Sequence, residues 1–167
     1  MSTKSEERWQ KLRESMVMIA LAGHLAQAIA KRELVLGTCF HEAGHAVIAC
    51  LFEMFPREIE RTDGGGGRVY LMEPTTEERK GEGESDDERI ARMVRTNAAE
   101  GAPMDLDSLR FKTEALLYRH WDAVESIAKA LYVKHRLGES DIRLVLTITE
   151  PTLLEFWPEP ASETGGS

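Results

Sequence analysis

The sequence predicts an α+β fold, mostly helical, with a small β-hairpin or sheet beside a central helix and a helical hairpin toward the C-terminus. Three observations predict it. Apolar residues recur at helical spacing over residues 5–32, 38–52 and from Asp86 onward. A single Gly-rich connection, Asp63-Gly-Gly-Gly-Gly67, joins two short runs of strand character. The chain has 167 residues, 42% of them hydrophobic, which suits one domain with a real core and argues against global disorder.

The elements follow in order. Residues 5–32 read as one long helix, charged and Trp9-bearing at first, then rich enough in Ala and Leu to be buried. Within it, 15–30 follows several basic residues and mimics a signal peptide. Glu6, Glu7 and Glu14 offset that charge, and His24 and Gln27 break the apolar run, so an internal helix is expected. Gly37 and Thr38 are expected to separate this helix from the next, with Thr38 as N-cap of a buried helix that stops at Pro56. Residues 57–62 and 68–72 read as the two strands of a hairpin across the glycines. Those glycines lack the lysine and the helix of a phosphate-binding loop. Residues 73–87, acidic and interrupted by Pro74, Gly81 and Gly83, read as an exposed mobile loop.

Beyond the loop, Ile90, Met93 and Val94 share a helix face, and Gly101-Ala-Pro103 breaks the pattern. Helices are expected over 105–120, with Leu106, Leu109, Ala115, Leu116 and Leu117 inward, and over 122–136, with Val124, Ile127, Ala128 and Leu131 inward. Residues 141–146 form a short helix or strand, and 151–167 a disordered tail.

Charge and cysteine content narrow the class. A net charge of −8, with acids clustered over 77–88, excludes the basic face of a nucleic-acid binder and a polybasic membrane anchor. Cys39 and Cys50 fall on one helix, about 16 Å apart at ~1.5 Å per residue, too far for a disulfide. They read as small buried hydrophobes in a reducing compartment, and the protein as cytoplasmic.

The chemistry concentrates in His41-Glu42-Ala43-Gly44-His45. Residues four apart stack on one helix face, so His41 and His45 can aim both imidazoles at one point. Glu42 is turned about a quarter turn away, placed to reach a water on a metal held there rather than the metal itself. This is the pattern of a zinc site in which a glutamate takes a proton from the bound water. The plain alternative is a hydrogen-bonded polar group in a core. Two histidines and a glutamate in an apolar helix, however, carry a desolvation penalty that a metal relieves for all three.

Catalytic zinc takes a third protein ligand, and spacing does not identify it. Glu100, Asp105, Asp107, Glu114 and His120 are candidates. Asp105 is favoured locally because it follows Pro103 at a helix start; the competing reading is that it only caps that helix. His24, His120 and His135 read as surface or satisfied core residues. The tryptophans and methionines read as packing.

These segments resemble the zinc-peptidase domain of the FtsH-type, AAA-linked membrane proteases. The resemblance rests on His41-Glu-Ala-Gly-His-Ala46, Pro56-x-x-Ile59, the Gly-rich turn and the strand ending near Pro74. It continues through Ala98-Ala-Glu100, Gly101-Ala-Pro-Met-Asp-Leu106 and a helical hairpin from Ala115 to Leu131, covering about 37–147. It implies a zinc-peptidase-like domain over 37–150, preceded by an N-terminal helix over 1–36. It also implies zinc held by His41, His45 and Asp105, with Asp107 as runner-up, and Glu42 as general base. An extended peptide or unfolded protein would lie along the strand at Val69, Tyr70, Leu71 and Met72. The family's ATPase module and transmembrane helices have no counterpart in these residues. The expectation is therefore a stand-alone zinc metallopeptidase, an endopeptidase, with a separate AAA ATPase and a homo-oligomer as open partners and with neither nucleic acid nor membrane. Two rivals use the same residues: a zinc-stabilised, catalytically silent binding or regulatory module, and a hydrolase of non-peptide amides.

Overall fold

The structure, a computed structural model, describes residues 3–71 and 84–158. The architecture is α+β and mostly helical. Helix α1 (Lys4–Ala30) starts on a capping box: the Thr3 hydroxyl accepts from the Glu6 amide (3.3 Å), and the Glu6 carboxylate accepts from the Thr3 amide (2.7 Å). It ends at Lys31 in the left-handed conformation (φ 53°), and the chain turns at once into α2 (Leu34–Leu51). The two helices pack against each other along much of their length.

α2 begins earlier than expected. Its N-cap is Glu33, without a side-chain cap, and Gly37 and Thr38 lie inside the helix. Gly37 is a close approach rather than a stop: a Cβ there would sit 2.7 Å from the Arg32 carbonyl oxygen and 2.8 Å from the Gln27 side-chain nitrogen. Thr38 does not cap; its hydroxyl donates to the Gly65 carbonyl in the hairpin loop (2.8 Å). The helix also ends before Pro56, which instead opens the first strand. By length and composition α2 could cross a membrane, and 67% of it is buried inside the fold.

The hairpin forms as the Gly-rich connection predicts. Strands β1 (Pro56–Arg61) and β2 (Gly67–Leu71) are antiparallel, with Ile59 opposite Val69. A third strand that the sequence did not reveal, β3 (Arg136–Gly138), pairs with the other side of β1, Leu137 opposite Ile59, in the order β2-β1-β3. Arg61 ties the sheet to the helices, donating from Nε to the Leu131 carbonyl (3.2 Å).

Helix α3 (Asp86–Ala99) opens on a second capping box, Ser85 with Glu88. The expected loop over 73–87 is thus a helix start at its end, and residues 72–83 lie outside the described residues. Helices α4 (Leu106–Arg119) and α5 (Trp121–Lys134) follow, then α6 (Glu139–Thr149). In α4 the inward positions include Thr113, whose hydroxyl bonds the Leu109 carbonyl (2.7 Å), whereas Ala115 is exposed. In α5 Val124, Ile127, Ala128 and Leu131 are fully buried, as their spacing predicts.

The expected tail at 151–167 is ordered in its first half. Pro151–Leu154 forms a 3-10 turn, and Leu153 and Trp157 are buried, Trp157 stacking on Phe55 with ring centroids 5.0 Å apart. Burial of these two apolar side chains offsets the entropy of ordering the segment; residues 159–167 lie outside the described ones. Two apolar clusters hold the fold together. One surrounds α2 with α5, α6 and the sheet, and the other joins Val17, Met18, Ala20 and Leu21 of α1 to Ile90, Met93 and Leu109. α1 is therefore built into the fold, and a boundary at residue 36 falls inside α2. Cys39 and Cys50 are free and buried.

Candidate metal centre

Helices α1, α2 and α3 meet at one cluster of donor atoms. His41 and His45 project from successive turns of α2, and their Nε2 atoms lie 3.0 Å apart. One carboxylate oxygen faces both: Asp86 Oδ2 is 2.7 Å from His41 Nε2 and 3.0 Å from His45 Nε2. The three side chains are only 12–19% exposed. Asp86 reaches them because the Ser85 hydroxyl takes the Glu88 amide (3.2 Å), so the helix start is capped without the aspartate.

His45 is oriented from behind. Its Nδ1 lies 2.6 Å from the Ile19 carbonyl oxygen, which accepts the Nδ1 proton and turns Nε2 toward Asp86. The α1 backbone approaches closely at Gly23, where a Cβ would sit 2.4 Å from His45 Nε2 and 2.6 Å from His41 Nε2. Glycine leaves that space free beside both nitrogens. The residue after it, His24, sets its ring edge-on to His41, with centroids 4.7 Å apart, and donor atoms of His24, His41 and Asp86 lie within 4.8 Å of one another.

The charges are mutually dependent. Burial opposes charge on His45, but the Asp86 hydrogen bond and charge, Glu42 and the Ile19 carbonyl outweigh it and push its pKa up to about 9. Burial would raise Asp86, but hydrogen bonds from His41 and His45 hold its carboxyl well below the usual carboxylate range. A cation placed between these donors would compete with the His45 proton. Two imidazoles and a carboxylate around a space kept open by a glycine fit a divalent metal ion.

Glu42 is buried beside the cluster. Burial raises its pKa to about 7, with Asp86 adding to the shift and His45 opposing it. A cleft of about 800 Å³ opens onto the histidines, Glu42 and Asp86, and its opposite wall is β2, including Val69, Tyr70 and Leu71. Among the described residues β2 has an unpaired outer edge. Met72 lies outside them. Arg89, one turn beyond Asp86, lines the same cleft with its Nε buried and unpaired among the described residues.

The structure brings His41, Glu42, His45 and the strand residues to one cleft, but not Asp105. That residue is exposed and is the N-cap of α4, its carboxylate accepting from the Ser108 amide (3.1 Å). Asp107 and Glu114 are exposed, Glu100 pairs with Arg13 (2.8 Å), and His120 pairs with Glu150. The carboxylate on the histidines is Asp86, which sequence reading absorbed into an acidic loop. The Ser85-x-x-Glu88 spacing is the signal that identifies a helix start there. His24, read as a surface or satisfied core residue and not as a ligand, is exposed but belongs to the cluster; no local pattern marked it. No family model, curated protein or solved structure matches the chain.

Proposed function

We propose that this protein is a zinc-dependent metallopeptidase, with the metal held by His41, His45 and Asp86. The observation that carries the reading is the convergence of those three donors beside a buried glutamate, in a cleft walled by an edge strand. Zinc bound there supplies a water of lowered pKa and polarises a carbonyl. The other steps belong to the chain. The Ile19 carbonyl holds the His45 tautomer. Glu42, with its pKa raised to about 7, takes a proton near neutral pH and returns it to the leaving amine. The β2 edge offers main-chain hydrogen bonds to an extended peptide, and Val69, Tyr70 and Leu71 place side chains along it. The resemblance to FtsH-type peptidase domains points to Asp105 as third ligand; the reading proposed here puts Asp86 in that role instead. A cytoplasmic location and supply of unfolded chains by a separate ATPase belong to the same proposal.

The rival, a zinc-stabilised silent module, is favoured by one observation: a His24 donor atom lies within 4.8 Å of those of His41 and Asp86, and zinc sites closed by a fourth protein ligand are structural. Hydrolysis of a mixed library of unfolded peptides by zinc-loaded protein separates the two. The proposal predicts cleavage by the parent and a loss of roughly 10²–10⁴-fold in Glu42→Gln with zinc retained. Cleavage that survives the substitution contradicts the role given to Glu42, and one bound zinc without cleavage by the parent supports the module.

A further inference from the structure

His24 differs from the other donors in how it is held. His45 is fixed by the Ile19 carbonyl, and Asp86 sits 2.7 and 3.0 Å from two imidazoles. His24 is exposed, has no hydrogen-bond partner among the described residues and touches the cluster through its ring edge on His41. It follows Gly23, the residue whose missing side chain leaves the Nε2 atoms of both α2 histidines accessible from α1. Three donors are therefore anchored and one is free to leave.

We propose that His24 is a dissociable fourth ligand, closing the metal centre at rest and yielding its place to an incoming donor. The inference rests on the metal site proposed above. Four protein ligands leave no position for substrate or water, and three leave one. The exchange is a substitution: the imidazole lone pair is withdrawn, a lone pair from the arriving oxygen donor replaces it, and no electron is transferred. Because His24 lies on the exposed side of α1, its departure disturbs no buried side chain. The same chain would then be closed and inert at rest, and open when a carbonyl or another oxygen donor competes for the position.

The test is zinc-edge X-ray absorption on the zinc-loaded full chain and on His24→Ala, with acetohydroxamate titrated into each. The expected result is three imidazoles in the parent and two in the variant. For a site that rests closed about ten to one, acetohydroxamate should bind about tenfold tighter to the variant, because no imidazole must be displaced, and zinc about tenfold more weakly. Two imidazoles in the parent, or a hydroxamate affinity unaffected by the substitution, overturns the role of His24 while leaving the His41, His45 and Asp86 site standing. A parent that binds no zinc overturns both.

Discussion

Asp86 and Asp105 both stand at the start of a helix, yet one faces two histidines and the other faces its own backbone. Asp105 is itself the N-cap, so its carboxylate is engaged by the Ser108 amide. At α3 a serine takes that duty one residue earlier, and the Asp86 carboxylate, at the first helical position, is free to turn toward α2. The difference shows that an acidic helix start becomes a metal-ligand candidate when another residue satisfies the orphan amides.

Apart from loss of Asp86 itself, the largest effect expected on this contrast comes from the glycine that makes room for the cluster. Gly23→Ala places a methyl 2.4–2.6 Å from both Nε2 atoms. It should weaken zinc binding about a hundredfold and lower stability by about 1–3 kcal/mol through overpacking, read by zinc titration and urea unfolding. Wild-type affinity in this variant would remove the close approach of α1 from the account.

Next in size is pH. Glu42 has a folded pKa raised to about 7, so the folded state binds its proton more tightly, and stability falls as pH rises from about 4.5 through 7. His45, raised to about 9, contributes stability that is full below its ordinary value of about 6.5 and is lost as pH rises through about 9. The contribution of Asp86, whose carboxyl is held low, is lost only in strong acid. Metal-free protein should therefore lose stability between pH 5 and pH 9, by roughly 3 kcal/mol for Glu42 at ~1.36 kcal/mol per pKa unit. Zinc, which displaces the histidine protons, should stabilise increasingly over the same range. Thermal melts at several pH values, with zinc and with chelator, read both; a metal-free melt that is flat from pH 5 to 9 would contradict the charge assignments.

The smallest effects separate the two caps. Ser85→Ala and Asp105→Ala should each cost about 1 kcal/mol. Only Ser85→Ala should also weaken zinc, by up to about tenfold, because it loosens the backbone that carries Asp86. Equal zinc affinity in both variants would mean that the α3 cap does not position the ligand.

How much of this was readable varies with the range of the interaction responsible. The i, i+4 spacing of His41 and His45, the hairpin over the glycines and the apolar face of α5 are local patterns, and each appears where periodicity put it. Gly37 misled because glycine can end a helix or let two helices touch, and the second role depends on the end of α1 lying alongside. β3 is three residues long and exists only through its pairing with β1. The 3-10 turn and Trp157 belong to the core through Phe55, about a hundred residues away in the chain. The Asp86 carboxylate and His24 come from other helices, so the spacing around His41 held no record of them, although Ser85-x-x-Glu88 did mark where α3 begins.

Asp86, and not Asp105, is the carboxylate proposed to hold the metal. Zinc stoichiometry and affinity, measured side by side for the parent, Asp86→Asn and Asp105→Asn, test it most directly. One zinc per chain is expected in the parent and in Asp105→Asn with equal affinity, and at least about a hundredfold loss in Asp86→Asn, a first-sphere change exceeding the ~10–100-fold typical of outer partners. Loss of zinc in Asp105→Asn with full retention in Asp86→Asn would contradict it.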